Sequence, residues 1–420
     1  MDRQTLKSVI IDQNEIVIPS HYYEREAFAS IKKFSRGKEV VILQGLRRSG
    51  KSTLLQVLRK DTKENSFFLN FDDDRLITFT LDDFQMLYEL WIELYGVQRT
   101  FYFDEIQNIE GWERFVRRLQ DKGMKVYATG SNANLLSAEL GTRLTGRYLQ
   151  VEVFPYSFHE CVMGQKPELL ESDLYTTEHK GELLHLFSHY CLNGGIPEFV
   201  EWKIVEFLHK LYEGVIFRDI IARYKLKQHK ALLEMVYFLA SNLGKMCSYN
   251  SLRKMIQLQS TTTVSEYCHY LQQSYLCFFV NRYSHSLKEQ SQSQKKVYFI
   301  DHQLAKSIGF QIGANRGRML ENIVYIELRR RGKEIYYHQE KKECDFIIKN
   351  GLTIEAAYQV CAEWDDDKVK TREIEGLHEA LCAYNLKEGW ILTDDNENTL
   401  VHEGKMIHIF PIWKWLLKRS

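Results

Sequence analysis

One stretch near the start of the chain, Gly45–Ser52, constrains the fold more than any other part of the sequence. It follows the spacing G-x-x-x-x-G-K-S and ends in Lys51 and Ser52. The apolar run Val40–Gln44 before it indicates a buried strand, and Thr53–Leu58 after it indicates the start of a helix. A glycine-containing loop between a strand and a helix lets successive backbone N–H groups point at one anion. The stretch therefore predicts a phosphate-binding loop.

The residue types in this loop suit a nucleoside triphosphate. We expect the Lys51 ammonium to reach the β- and γ-phosphates, and the Ser52 hydroxyl to be a ligand of Mg²⁺. The residues expected to surround the phosphates are Gly45, Arg48, Ser49, Gly50, Lys51, Ser52 and Thr53.

A second run, Thr100–Phe103, is apolar for most of its length and ends in Asp104 and Glu105. A buried parallel strand delivers its last residues to the carboxyl edge of the sheet, where a phosphate loop also lies. We therefore expect Asp104 to hold Mg²⁺, directly or through water, and Glu105 to polarise the attacking water. The alternation of strands and helices over residues 1–160 predicts an α/β domain, with a parallel sheet covered by helices on both faces.

Polar and basic residues follow the next predicted strand, Met124–Thr129. Ser131 or Asn132 is placed to sense the γ-phosphate or to orient water, and capping of a following helix is the alternative for either residue. Arg143 and Arg147 are candidates for an arginine finger, acting within their own chain or from a neighbouring subunit. Ordinary surface ion pairing is the alternative for these two arginines.

The composition limits the expected partners and location. At 420 residues the chain predicts more than one domain, and its 56 Lys+Arg balance its 56 Asp+Glu, so no basic surface covers the whole protein. Eight scattered cysteines include no C-x-x-C pair, which gives no indication of zinc and favours reduced thiols in a cytoplasmic protein. The sequence shows neither a signal-peptide core nor an apolar stretch near the ~20 residues of a membrane helix, so no membrane contact is expected.

Residues 161–228 predict amphipathic helices, which form either a lid-like segment or plain helical packing. Residues 229–310 predict three helices and a hairpin, the pattern of a winged helix. The third of these helices carries no lysine or arginine, while Lys288, Lys295 and Lys296 are expected in the wing loop. DNA binding is therefore expected to be weak and non-specific, and use of the winged helix for protein packing is the alternative.

Residues 311–420 predict a helix, three strands, a second helix and a further strand. Glu321, Asp345 and Glu355 resemble the carboxylates that bind Mg²⁺ in the restriction-endonuclease-like core. That core carries a lysine two residues after the last carboxylate, and the matching residue here is Ala357. The resemblance implies a nuclease-like α/β domain with a vestigial, inactive site.

Together the motifs resemble a family of bacterial and archaeal AAA+-type ATPases with a C-terminal winged-helix and restriction-endonuclease-like domain. The matching strings are Gly45–Ser52, Phe103–Gln107, Thr129–Asn132, Leu144–Arg147, Phe154–Glu160, Gly194–Glu198, Phe217–Ile220 and Val297–Asp301. The resemblance implies ATP rather than GTP, a Walker A lysine at Lys51, and Walker B carboxylates at Asp104 and Glu105. It also implies a polar sensor at Ser131 or Asn132, and a catalytic or coupling arginine near Arg143 or Arg147.

The combined prediction is an ATPase that hydrolyses ATP with Mg²⁺ and thereby reorients an appended winged-helix and nuclease-like module. One alternative is a nucleotide-dependent switch that binds DNA or protein with slow or no turnover, and another is an ATP-regulated nuclease. The expected partners are DNA, bound weakly, or a protein client, together with further copies of the same chain in a homo-oligomer.

Overall fold

The computed structural model describes residues 1–20, 22–62, 66–131, 146–171, 176–227, 229–310 and 316–418. The chain forms two compact units. The first comprises Met1–Phe154 with Gln273–Tyr275, and the second comprises Pro155–Gln272 with Leu276–Ser420. The end of the first unit lies close to the predicted boundary at residue 160, and the division of residues 161–420 into three segments stays a prediction.

A five-stranded parallel sheet forms the centre of the first unit, as the alternation of strands and helices predicts. Its strands are β1 (Val40–Gln44), β2 (Phe67–Asn70), β3 (Thr100–Asp104), β4 (Lys125–Gly130) and β5 (Tyr148–Glu152). The strand order is β2-β3-β4-β1-β5, and each neighbouring pair is parallel. Because β4 lies between β1 and β3, its carboxyl end separates the phosphate loop from the acidic pair.

Apolar side chains cover both faces of this sheet, as expected for parallel strands with helices on either side. Successive residues of β3 enter different cores: Phe101 and Phe103 belong to one cluster with Trp91, whereas Tyr102 belongs to the other with Leu54. The flanking helices are Arg3–Asp12, Ala27–Phe34, Lys51–Asp61, Asp83–Tyr95 and Trp112–Asp121, with 3-10 turns at Asp74–Leu76 and Ile106–Asn108. The Arg3–Asp12 helix, which Asp2 caps, was not predicted from the sequence.

The first part of the second unit is mostly helical. Its helices are Phe158–Gln165, Pro167–Leu170 (3-10), Thr177–Asn193, Pro197–Trp202, Val205–Glu213, Gly214–Ala222 (π), His229–Ser241, Tyr249–Met255, Thr261–Gln273, Leu287–Gln292 and His302–Ile308. A small antiparallel sheet lies among them in the order β6-β8-β7, formed by β6 (Met246–Cys247), β7 (Cys277–Asn281) and β8 (Lys295–Phe299). Three helices followed by a hairpin match the predicted element order, while assignment as a winged helix stays a prediction.

The connection between β7 and β8 differs from the predicted polar loop. It contains the helix Leu287–Gln292, which the Ser286 side chain caps by accepting a hydrogen bond from the backbone of Glu289. Lys295 and Lys296 do not lie in this connection but in β8, where they are 8% and 1% exposed. The expectation that both lysines reach toward DNA from a wing loop is therefore wrong.

The last part of the second unit is built on a six-stranded mixed sheet in the order β13-β14-β12-β11-β10-β9. Its strands are β9 (Glu334–Gln339), β10 (Glu343–Asn350), β11 (Thr353–Cys361), β12 (Glu388–Thr393), β13 (Asn398–His402) and β14 (Lys405–Pro411). The accompanying helices are Arg316–Arg330, Asp367–Ala383 and Ile412–Leu417. The helix and strands expected around Glu321 and Asp345 are present, and the nuclease-like assignment stays a prediction.

Across the described residues, none of the helices combines the length and the apolar character that crossing a lipid bilayer would require.

Candidate functional site

The predicted phosphate loop connects β1 to the helix Lys51–Asp61 and is tightly curled. Gly45 lies so close to β5 that a Cβ atom there would stand 2.2 Å from the carbonyl oxygen of Val153. Gly50, directly before the helix, has a φ of 93° in the left-handed region that favours glycine. The glycines of the motif are therefore required by close approach and by backbone conformation.

The loop is held from behind by Arg25, which the sequence analysis did not identify. The Arg25 guanidinium is 3% exposed; its Nη1 donates to the carbonyl oxygen of Ser49 at 2.8 Å, and its Nη2 donates to that of Phe154. Arg25 thus ties the loop to the end of the segment that follows β5. It lies in no recognisable motif, so only the structure reveals it.

Two buried side chains of the loop, Lys51 and Ser49, have the chemistry to bind an anion. Lys51 Nζ donates to the carbonyl oxygens of Leu46 and Gly45 at 2.9 and 3.1 Å, so the ammonium lies within the curl of the loop. The Ser49 hydroxyl is buried and has no hydrogen-bond partner among the described residues. A buried ammonium and an unsatisfied buried hydroxyl in one loop suit a bound phosphate. Arg48 is exposed, and Thr53 lies in the first turn of the helix.

Three sequence motifs meet at the carboxyl edge of the sheet. Asp104 Oδ1 accepts hydrogen bonds from Ser52 Oγ at 3.0 Å and from Thr129 Oγ1 at 2.5 Å. Thr129 Oγ1 in turn accepts a 2.9 Å hydrogen bond from the backbone N–H of Glu105. Thr129 therefore bridges the two acidic residues, because β4 lies between the strands that carry the other groups.

The paired hydroxyl and carboxylate fit Mg²⁺, which prefers hard oxygen ligands. Burial raises the pKa of Asp104 to about 6, and the adjacent Glu105 carboxylate adds to this effect. Hydrogen bonds from Thr129 and Ser52 and the charge of Lys51 act in the opposite direction. A divalent ion bound here would balance the charge of these two adjacent, buried carboxylates.

Glu105, the predicted water-polarising residue, is held by a neighbour. Its backbone has a φ of 50°, and its carboxylate is 8% exposed. Gln107 Nε2 donates to Glu105 Oε2 at 2.5 Å and lies 3.5 Å from Ser131 Oγ. The other amide atom, Gln107 Oε1, is buried without a hydrogen-bond partner among the described residues. Gln107 thus links the end of β3 with Ser131, which follows β4. Ser131 is one of the two residues predicted as a polar sensor.

Of the remaining predicted catalytic residues, Arg147 is the one that the structure describes. Asn132 and Arg143 lie outside the described residues. Arg147 lies just before β5, where its carbonyl oxygen accepts a hydrogen bond from the backbone N–H of Val40, and its guanidinium forms an ion pair with Asp121. Because β1 and β5 are parallel, this is the amino edge of the sheet, opposite the phosphate loop. Arg147 is therefore not placed to contact a phosphate bound by its own chain.

A second carboxylate cluster lies in the second unit, centred on the buried Lys296. Lys296 Nζ lies 2.9 Å from Glu321 Oε1, 2.8 Å from Asp345 Oδ1 and 2.5 Å from Glu343 Oε1. Burial alone would lower the pKa of Lys296, but the charges of Asp345 and Glu321 outweigh burial and raise that pKa well above its usual value. The Lys296 ammonium thus lies between Glu321 and Asp345, two of the three carboxylates predicted for the vestigial nuclease site.

Glu355, the third predicted carboxylate, does not join this cluster. It forms a 2.8 Å ion pair with Lys333 and accepts a hydrogen bond from Asn350. The strands β10 and β11 are longer than the sequence suggests, and their register pairs Phe346 with Tyr358, so Asp345 lies level with Gln359.

The sequence predicts Glu355 as the carboxylate beside Asp345, but the residue opposite Asp345 is Gln359. Gln359 Oε1 accepts a 3.0 Å hydrogen bond from the backbone N–H of Asp345. Two residues further along is Cys361 instead of the predicted Ala357, and burial raises the pKa of its thiol to about 12. Neither Gln359 nor Cys361 supplies the positive charge of the nuclease lysine.

Two further motifs, Gly194–Glu198 and Val297–Asp301, contact each other in the second unit, where they have a structural role. The backbone N–H of Gly195 donates to Asp301 Oδ2 at 2.7 Å. Asp301 Oδ1 accepts from the backbone N–H groups of Gln303 and Leu304, which caps the helix His302–Ile308.

Comparison with known proteins gives relatives over nearly the whole chain. Residues 37–162 match the family model of an AAA domain, and residues 184–314 match that of a domain of unknown function. An uncharacterized protein of Methanocaldococcus jannaschii is 32% identical over 443 residues, covering 99% of this chain and 96% of the relative. An uncharacterized protein of Haemophilus influenzae is 30% identical over 340 residues, covering 76% of this chain and 83% of the relative.

Solved structures are more distantly similar. The Walker-type ATPase of Pyrococcus abyssi has 16% identity and a TM-score of 0.45, covering 70% of this chain and 99% of its own. The RuvB Holliday junction branch migration motor of Thermotoga maritima has 15% identity and a TM-score of 0.30, covering 66% and 93%. Similarity at this level carries no argument about function.

Proposed function

This chain belongs to the same family as the uncharacterized Methanocaldococcus jannaschii protein, and from its AAA domain and the geometry of its phosphate loop we propose that it hydrolyses ATP with Mg²⁺. The observation that carries the proposal is the meeting of Ser52, Asp104 and Glu105 at one edge of a parallel sheet, linked through Thr129. A loop for phosphates, ligands for a cation and a carboxylate for water are the three parts that phosphoryl transfer requires.

Each group has a role that follows from its chemistry. The phosphate loop and Lys51 would hold the β- and γ-phosphates, and Lys51 would offset charge on the phosphoryl oxygens. Ser52 and Asp104 would hold Mg²⁺, which supplies further positive charge at the phosphates when bound. Glu105 would accept a proton from water as that water attacks the γ-phosphorus. The bond from the γ-phosphorus to the bridging oxygen then breaks, and ADP and phosphate are released.

The arginine contribution is proposed to come from a second copy of the chain. Arg147 lies at the edge of the sheet opposite its own phosphate loop, so in this arrangement it would act only on a nucleotide held by a neighbour. A finger from another subunit is a known solution in NTPases, and it makes turnover depend on assembly. The proposal therefore includes a homo-oligomer, with Arg143 as the alternative finger and Ser131 or Asn132 as the sensor.

The same observation favours a second candidate function, a nucleotide-dependent switch with slow or no turnover. A chain that binds ATP but does not carry its own arginine to the phosphates would hold nucleotide until a partner completed the site. In either case we propose that nucleotide state reorients the appended winged-helix and nuclease-like module, residues 229–420. The partner would be a protein client or, with low affinity, DNA, because Lys295 and Lys296 are buried and helix Thr261–Gln273 has no lysine or arginine.

The C-terminal domain is proposed not to cut nucleic acid. Lys296 already forms ion pairs with Glu321 and Asp345, and neither Gln359 nor Cys361 carries the charge that a nuclease lysine would bring. Cleavage in Mg²⁺ or Mn²⁺ that disappears in Asp345→Ala but persists in Lys51→Ala would overturn this part of the proposal.

The experiment that tests the function is an ATP turnover assay on the full chain, with and without Mg²⁺ and DNA, over a range of protein concentrations. Lys51→Ala is expected to bind ATP more weakly and to abolish turnover. Turnover that rises with protein concentration supports the assembled ATPase. Tight ATP binding without turnover at any concentration supports the switch, and absence of ATP binding rejects both.

A further inference from the structure

Four potential metal ligands of mixed chemistry lie where the helix Asp367–Ala383 approaches the turn between β13 and β14, three of them clustered and the fourth, Cys382, beside His378. His378 and Cys382 come from the helix, while His402 and Glu403 come from the end of β13 and the turn. Residues four positions apart lie on the same face of a helix, so His378 and Cys382 form a natural chelating pair. Nothing in the proposed ATPase uses this cluster.

The two shortest distances from His378 match the spacing of ligands around one ion. His378 Nε2 lies 3.5 Å from Cys382 Sγ and 3.6 Å from Glu403 Oε2. Candidate ligand atoms of His378, His402 and Glu403 all lie within 4.8 Å of one another. Zinc binds nitrogen, oxygen and sulfur at about 2.0–2.3 Å, so ligands at tetrahedral angles stand roughly 3.3–3.8 Å apart. Rotation of the exposed Cys382 and Glu403 side chains would bring all four groups onto one ion.

The donor set selects the class of ion. Two imidazoles, a thiolate and a carboxylate suit zinc and similar borderline transition ions, whereas Mg²⁺ and Ca²⁺ prefer oxygen ligands alone. The thiol is accessible, because Cys382 is the exposed cysteine among the eight, all of which lie in the described residues. The C-x-x-C criterion overlooks such a site because its ligands come from a helical i, i+4 pair and a distant hairpin.

We propose that His378, Cys382, His402 and Glu403 bind a zinc-like divalent transition ion that joins the helix Asp367–Ala383 to the β13–β14 turn. The ion replaces the weak contact between an imidazole and an exposed carboxylate with bonds to four side chains. Binding to the folded state alone stabilises it by mass action, so the ion also raises the melting temperature.

The test uses the full chain without nucleotide, since ATP itself binds divalent ions. Zn²⁺ is titrated calorimetrically, and Co²⁺ is added separately because its absorption spectrum reports tetrahedral geometry and thiolate coordination. The variants are Cys382→Ser and His378→Gln. The matched control is His185→Gln with His189→Gln, since these histidines form an exposed i, i+4 pair on another helix, with ring centroids 4.4 Å apart.

The wild type is expected to bind one Zn²⁺ at this site, with a rise in melting temperature and a thiolate–Co²⁺ absorption band. Each of the two ligand variants is expected to weaken Zn²⁺ binding by at least about tenfold, a loss that even outer-shell partners of a metal can cause. Cys382→Ser is also expected to abolish the thiolate band, while the His185/His189 control retains both signals. Equal Zn²⁺ affinity in wild type and Cys382→Ser, loss of binding in the control, or absence of binding in the wild type would overturn the proposal.

Discussion

Ser52 Oγ donates a 3.0 Å hydrogen bond to Asp104 Oδ1, joining two residues that are 52 positions apart in the sequence. The bond brings the start of the phosphate-loop helix to the end of β3. Because a hydroxyl and a carboxylate are both ligands for Mg²⁺, the contact marks the place where an ion would bind.

Thr129 should be as important to this site as the motif residues it connects. Thr129→Val removes the hydroxyl that bonds Asp104 and the backbone of Glu105, leaving buried polar groups without that partner. We expect Mg²⁺-dependent ATP affinity to fall by roughly ten- to a hundredfold, corresponding to about 1–3 kcal/mol. Thr129→Ser retains the hydroxyl and is the matched control in an equilibrium binding measurement. Equal affinity in the Val and Ser variants would show that this bridge does not organise the site.

Nucleotide binding should depend on pH through Asp104. Burial raises the pKa of Asp104 to about 6, so the carboxyl group gains a proton as the pH falls through that value. A protonated carboxyl group is a poor cation ligand, so Mg²⁺-dependent affinity should be about half its maximum at pH 6 and nearly complete about one pH unit higher. Below pH 6 it should decline by about tenfold per pH unit. Titrations with and without Mg²⁺ measure this, and a Mg²⁺-dependent affinity that stays constant from pH 5 to 8 would contradict it.

The buried Lys296 should stabilise the second unit strongly. Lys296→Met leaves Glu321 and Asp345 buried without their counter-charge, which should lower the free energy of unfolding by about 3–5 kcal/mol. Lys349→Met is the control, because Lys349 forms a more exposed ion pair with Glu334 and should cost under about 1 kcal/mol. Chemical denaturation followed by fluorescence gives both values. Similar losses in the two variants would mean that the cluster contributes little to stability.

Assembly should rescue defective subunits if an arginine acts between them. Arg147→Ala retains an intact phosphate loop, and Lys51→Ala retains Arg147, so a mixture contains sites with every group present. Arginine fingers contribute about 10³–10⁵ in rate, so even a few such sites should give measurable turnover. Restored activity in the mixture, measured beside each variant alone, is the expected result. No restoration, with a stable oligomer present, would rule out Arg147 as the finger.

Much of the first unit follows from its sequence because the physical signals there are local. Strands buried on both faces are continuously apolar, and such runs identify β1 and β3. The glycine spacing identifies the loop between β1 and the helix that follows it. Arg25 and Thr129 are different: each matters through contacts with residues far away in the chain, and no periodicity reveals such contacts. Gln107 lies in the Phe103–Gln107 motif, but its link to Glu105 depends on side-chain geometry.

The second unit was harder to predict because its site depends on strand register. A ten-residue spacing suggested Asp345 and Glu355, whereas the longer strands bring Gln359 opposite Asp345. Lys296 looked like a wing-loop residue since it follows a polar, Gln/Ser-rich stretch. Its burial among carboxylates depends on side-chain contacts with Glu321 and Asp345, which lie 25 and 49 residues further along the chain, and a single sequence does not show such contacts.

The most direct test of the central claim measures two properties of Glu105→Gln against the wild type. These are the rate of phosphate release and the affinity for ATP with Mg²⁺. If Glu105 accepts the proton of the attacking water, the variant should bind ATP with Mg²⁺ about as tightly as the wild type. Its hydrolysis should be slower by about 10²–10⁴, the contribution of a positioned general base. Wild-type turnover by Glu105→Gln would contradict the account, because water activation would then not depend on this carboxylate.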